Sequence, residues 1–142
     1  MFGDRVMAAL VPPYEQGSDF AASLCFAVKH RKVKHVIILG HSQCGGLDAL
    51  VQGLADSEIQ AWMQNSRPAL ERAKSQCGAK HDHVHLCAET EKQTVVLGLK
   101  NLLTYPAVKE ALEAGEVTIN GWLFDMKAGA IQGYDPEQDS FV

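Results

Sequence analysis

The stretch that most constrains this chain is Val33-Lys34-His35-Val36-Ile37-Ile38-Leu39, followed by Gly40-His41-Ser42-Gln43-Cys44-Gly45-Gly46. Its first half is a short apolar run rich in β-branched residues, with basic residues before it and glycine after it. That pattern predicts a strand buried on both faces, as in a parallel sheet. A histidine and a cysteine then stand three positions apart. Ligands at i and i+3 on a tight loop reach one ion, and imidazole nitrogen with thiolate sulfur is a donor set that suits zinc. His41 and Cys44 are therefore the candidate metal ligands. Gly45 and Gly46 let the backbone turn sharply and approach whatever is bound, and an amide there can face a substrate. A helix is predicted to begin at Gly46 or Leu47, turning its N-terminal amides to the same spot and favouring an anion.

With 142 residues the chain is one domain by length, spanning 1–142, and it buries roughly two-thirds of its unfolded surface. A net charge of -4 argues against nucleic acid or an anionic membrane as its main partner. No apolar run approaches the roughly 20 residues of a membrane span. The opening Met1-Phe2-Gly3-Asp4-Arg5 lacks the regions of a signal peptide. The 4 cysteines are too few for a disulfide scaffold and fit a reducing compartment, so cytoplasm is the expectation.

Around this core stretch the periodicity predicts a loop-like start, fixed in an extended path by Val11-Pro12-Pro13-Tyr14-Glu15. Ser18 is the predicted N-cap of a helix carrying Phe20, Leu24, Ala27 and Val28, with Cys25 as a buried thiol and a basic C-terminus at Lys29-His30-Arg31-Lys32. A short helix is expected over 47–53. Another is expected over 58–76, kinked or split by Pro68. The segment from Cys77 to Cys87 reads as irregular, with His81, His83 and His85 in a solvated loop. A long helix is predicted from about Glu89 to Leu103 and a short one from Pro106 to Ala114, stopped by Gly115. A strand through Val117 to Phe124 and a return from Ala130 to Tyr134 form a terminal hairpin turned at Lys127-Ala128-Gly129.

Several of these pieces carry a family resemblance. Gly40-His41-Ser42-Gln43-Cys44-Gly45-Gly46 after an Ile/Val strand closely resembles the second zinc motif of the β-class carbonic anhydrases. Leu10-Val11-Pro12-Pro13-Tyr14 looks like that family's segment before its first long helix. Asn101-Leu102-Leu103-Thr104-Tyr105-Pro106 looks like its helix and turn before the last strand, and Ile119-Asn120-Gly121-Trp122-Leu123-Phe124-Asp125 like its terminal hairpin. The matches run in order along nearly the whole chain. The resemblance implies an α/β fold with a mainly parallel sheet flanked by helices. It also implies a Zn2+ cofactor held by His41 and Cys44, reversible hydration of carbon dioxide to bicarbonate, and a homodimer or higher homo-oligomer.

Members of that family carry, upstream of everything matched here, a strand with the motif C-x-D-S-R. Its cysteine is a third zinc ligand and its aspartate and arginine form a dyad beside the metal. This sequence contains no such motif; Asp4-Arg5 has no preceding cysteine. The expectation is a fold reduced by that strand, with no catalytic residue to name and two ligands where a catalytic zinc usually has three. Two other readings stay open: a non-catalytic structural or regulatory relative, and a zinc hydrolase of a carbon dioxide analogue such as carbonyl sulfide or carbon disulfide.

Overall fold

A computed structural model describes residues 1–53, 56–78 and 82–142, the side chain of Ser18 excepted. Two short 3-10 turns, Met7–Ala9 and Tyr14–Gln16, precede α1 (Ser18–Cys25), which runs into a π-helical turn at Phe26–His30. Then follow β1 (His35–His41), α2 (Gly45–Gln52), α3 (Ser57–Met63), α4 (Arg67–Cys77), α5 (His83–Leu102) and α6 (Pro106–Glu113). Three strands close the chain: β2 (Thr118–Asp125), β3 (Ala130–Asp135) and β4 (Ser140–Phe141).

The sheet order is β1-β2-β3-β4. β1 and β2 are parallel, with His35 opposite Thr118 and His41 opposite Phe124. The intervening helices make the long crossover that a parallel pair requires. β3 and β4 add antiparallel, as the expected terminal hairpin and one further short strand. The architecture is α/β, as the sequence predicts.

The core lies where α5 crosses β1 and β2. Val95 and Leu102 of α5 pack with Ile38, Leu123, Val28 and Val108. Two strand glycines let the helix approach. A Cβ at Gly40 would stand 2.6 Å from Val95 Cγ2, and one at Gly121 would stand 2.8 Å from Val95 Cγ1 and 2.9 Å from Leu99 Cδ1. No helix among the described residues is long and apolar enough to cross a membrane.

Four expectations need correction. β1 is not buried on both faces: Ile37 and Leu39 are 43% and 50% exposed, because they point away from the buried face of Ile38 and Gly40, and the face they occupy is uncovered there among the described residues. α5 begins six residues earlier than its apolar periodicity suggests. The carboxylate of Asp82 caps it by accepting from the His85 amide at 2.7 Å, so the segment before Cys87 is helical rather than irregular. His83 and His85 lie on that helix, and His81 lies outside the described residues. α1 has Gly17, not Ser18, at its N-cap. Cys25 is only partly buried, since α1 turns that face towards solvent. The split at Pro68 is as expected, with the proline in the first turn of α4, where its missing N–H costs nothing.

The N-terminal segment is held by one buried phenol. Tyr105, 1% exposed, donates its hydroxyl to the Pro12 carbonyl at 2.6 Å and packs edge-on against Tyr14 and Phe20. Burial pushes this phenol up to about 12 from its ordinary 10.0. The unfolded phenol ionises first, so the stability linked to it is intact below pH 10 and is lost as the pH rises through about 12. Tyr105→Phe strands the Pro12 carbonyl. In chemical denaturation it is expected to cost about 1–3 kcal/mol at neutral pH and to flatten the alkaline decline between those two values.

Candidate metal site

The loop after β1 is positioned from three sides. Ser42 N donates to the Phe124 carbonyl at 2.9 Å, continuing the parallel ladder by one residue. Ser42 Oγ accepts from the Met126 amide at 2.9 Å, tying the loop to the turn of the hairpin. Asp125 closes that turn by accepting from the amides of Lys127 and Ala128, and these bonds hold its carboxyl below the usual range. The site therefore sits at the carboxyl end of two adjacent parallel strands, the usual position for ligands in open α/β sheets.

His41 Nδ1 lies 2.9 Å from the Ser42 carbonyl oxygen. A carbonyl only accepts, so Nδ1 carries the proton and Nε2 keeps its lone pair for a ligand. A backbone carbonyl that fixes the tautomer in this way is the usual support behind a metal-bound histidine. Cys44, 5% exposed, stands at the N-cap of α2. Its amide donates to Glu91 Oε1 at 2.9 Å, and the Gln43 amide also bonds that carboxylate. Glu91 is itself 5% exposed. Burial pushes its carboxyl up, against the pull of those amides and of nearby His41. No sequence pattern singles out Glu91. Its position on the long helix, one turn beyond Cys87, gave no sign that it would face the loop 47 residues upstream.

The tight turn between the two ligand candidates is made by Gln43, whose φ is +58, and not by the glycines. A left-handed non-glycine residue costs of order 1 kcal/mol and persists where the surroundings hold it, here the Glu91 carboxylate. Gly45 and Gly46 form the first turn of α2 instead. Gly46 is a packing residue, since a Cβ there would stand 2.9 Å from Met7 Cγ. A Cβ at Gly45 would meet nothing within 4 Å, so that position faces open space.

The donor chemistry of His41 and Cys44 fits zinc: a free imidazole nitrogen and a sulfur on one supported loop. Among the described residues no third histidine, cysteine or carboxylate joins them as a ligand trio. The one trio that does form lies elsewhere, at Asp48, His83 and Cys87.

The comparisons with known proteins bear on the family and the fold. The carbonic anhydrase family profile matches residues 1–131. "Beta carbonic anhydrase 5, chloroplastic" of Arabidopsis thaliana is 33% identical over 129 residues, covering 87% of this chain and 42% of that protein. "Carbonic anhydrase 1" of Escherichia coli O157:H7 is 29% identical over 137 residues, covering 94% and 62%. The chain thus spans between 42% and 62% of the length of these relatives. Among solved structures, a tetrameric β-carbonic anhydrase from Sordaria macrospora superposes with a TM-score of 0.82 at 27% identity, covering 93% of this chain and 66% of that one. The β-carbonic anhydrase CcaA has the same fold, with a TM-score of 0.86 at 23% identity over 96% and 68%. On the match of the profile along almost its whole length, supported by these relatives and by the H-x-x-C loop at the end of β1, the chain belongs to the β-class carbonic anhydrases.

Proposed function

We propose that the protein carrying this chain interconverts carbon dioxide and bicarbonate, with His41 and Cys44 as two of the protein ligands to a zinc ion. A zinc ion held there supplies Lewis acidity that makes water nucleophilic near neutral pH. The chain's own residues do the positioning. The Ser42 carbonyl fixes the proton of the neutral His41 ring on Nδ1 and so leaves Nε2 for the metal, and Glu91 pins the Gln43-Cys44 backbone that carries the sulfur. The open space at Gly45, at the amino end of α2, suits the anionic product. The observation that carries this reading is the paired support of the loop, a carbonyl behind the histidine and a buried carboxylate behind the cysteine.

The third ligand is assigned to a strand laid along the free edge of β1, which ends at His41. In the resemblance described above, that strand carries C-x-D-S-R. Two features support this assignment: β1 is paired on one side only among the described residues, and a groove of about 320 Å³ runs beside its exposed Ile37 and Leu39, lined by Val6, Leu10, Phe20, Leu24 and Ile38. We further propose a homo-oligomer, supported by the tetrameric β-carbonic anhydrases of Sordaria macrospora.

The test is carbon dioxide hydration by the zinc-loaded protein that carries this chain together with the strand supplying the third ligand, followed by stopped flow with a pH indicator. Hydration above buffer that falls to the buffer rate in the His41→Ala, Cys44→Ala variant is the expected result. A zinc-loaded parent no faster than buffer would overturn the reading. It would favour the non-catalytic relative, which the lack of a third ligand among the described residues also supports. Assays with carbonyl sulfide and carbon disulfide separate carbon dioxide from its analogues.

A further inference from the structure

A second cluster lies one helical turn beyond the loop, on the facing sides of α2 and α5. His83 and Cys87 are four residues apart on α5, so both project from one face of the helix. Asp48 reaches them from α2. His83 Nε2 lies 2.6 Å from Asp48 Oδ1, Cys87 Sγ lies 3.5 Å from His83 Nε2, and Cys87 Sγ lies 3.6 Å from Asp48 Oδ1. The three ligand atoms thus converge on one point from two helices.

These separations can be compared with what a metal needs. Tetrahedral zinc, with bonds of about 2.0 Å to nitrogen or oxygen and about 2.3 Å to sulfur, sets its ligand atoms roughly 3.3 Å apart for nitrogen and oxygen and roughly 3.5 Å apart for sulfur and nitrogen. Both sulfur distances already match. The histidine and carboxylate need to part by only about 0.7 Å, which two partly exposed side chains can do by small rotations. The donors themselves, one imidazole, one thiolate and one carboxylate, favour a borderline cation over calcium or magnesium.

We propose that Asp48, His83 and Cys87 form a second metal site for zinc or a similar divalent ion, separate from His41 and Cys44. On binding, Cys87 gives its thiol proton to solvent. His83 shifts to the Nδ1–H tautomer and releases Nε2 from Asp48 to the metal. A solvent molecule completes the coordination, since the side chains of His83 and Asp48 are 48% and 45% exposed. Burial and the Asp48 carboxylate push the Cys87 thiol up to about 11, so a cation in place of the bridging proton relieves an arrangement that otherwise holds the sulfur neutral. The ion would clip α2 to α5. These are the helices that carry Cys44 at its cap and Glu91 behind it, so the clip would brace the first site from outside. The proposal does not depend on the carbon dioxide chemistry.

The experiment is titration of the full chain with Co2+, read by the thiolate-to-cobalt absorption band. In the His41→Ala, Cys44→Ala variant the band is expected to remain, at about one ion per chain. Adding Cys87→Ser is expected to abolish it. His83→Ala in that same background is expected to weaken binding by at least the roughly 10–100-fold that losing even an outer partner of a metal site costs. No band in the His41→Ala, Cys44→Ala variant, or a band that survives Cys87→Ser, would overturn the proposal. If the double variant does not fold, His83→Ala, Cys87→Ser is made in the otherwise intact chain. It is expected to hold one zinc fewer than the parent by elemental analysis and to lose the zinc-dependent rise in melting temperature. Equal metal content in the two proteins would refute the site.

Discussion

Gly40→Val is expected to destabilise the fold by about 3 kcal/mol or more, at the upper end of the usual cost of overpacking a core. A Cβ at this position falls 2.6 Å from Val95 Cγ2 and 3.4 Å from Leu123 Cδ1, and valine adds two methyl groups beyond it. Val95 is 1% exposed and Leu123 is 5% exposed, so neither side chain has solvent to move into. The helix itself has to retreat from the sheet. That motion has a local consequence, because α5 also carries Glu91, whose carboxylate holds the Cys44 amide. The substitution is therefore expected to weaken metal binding at His41 and Cys44 as well as stability, without touching either ligand. Urea denaturation and metal titration of the same protein check both parts. A loss under about 0.5 kcal/mol, the scale of a neutral surface change, would mean that α5 does not lie against β1 as described.

The second large effect is expected for Glu91→Ala. It removes the acceptor for the amide of buried Cys44, and an unsatisfied group of that kind costs about 1–3 kcal/mol. It also frees Gln43 from the partner that holds it at a φ of +58. The two candidate ligands flank that residue, so metal affinity at His41 and Cys44 is expected to fall roughly 10–100-fold, the effect usual for a group that orients a ligand. Glu91→Gln keeps an acceptor oxygen in place and is expected to recover most of the affinity. Measured by competition with a chromogenic chelator in a Cys87→Ser background, Glu91→Ala with unchanged affinity would remove Glu91 from the site's support. If Glu91→Gln is as weak as Glu91→Ala, the charge of the carboxylate matters more than its hydrogen bond.

Much of the architecture was legible in the sequence because it rests on local patterns. The β-branched run before Gly40, the split at Pro68, the stop at Gly115 and the turn at Lys127 to Gly129 each follow from the preferences of a few neighbouring residues. The errors came where a local pattern meets a distant partner. A strand of Val, Ile and Leu looks buried on both faces, yet whether a layer covers each face depends on what lies beside it, and Ile37 and Leu39 face outward. The start of α5 is hidden from periodicity because its first turn reads His83-Val84-His85, without the apolar spacing that marks a helix. Asp82, which caps it, looks like any loop aspartate until the helix is there.

The candidate site divides along the same line. The H-x-x-C spacing marked His41 and Cys44 as candidate ligands in the sequence itself, because both lie within four consecutive residues. The sequence likewise settled the family, through motifs kept in order along the chain. Only the tertiary structure brought Glu91 to the Cys44 amide and left Gln43 rather than a glycine to make the turn. It alone gathered Asp48 with His83 and Cys87 into a trio separated by 35 to 39 residues. The physical reason is reach: a ligand pair on one turn is set by backbone geometry, whereas a contact across such separations exists only after α2 and α5 have packed on the sheet.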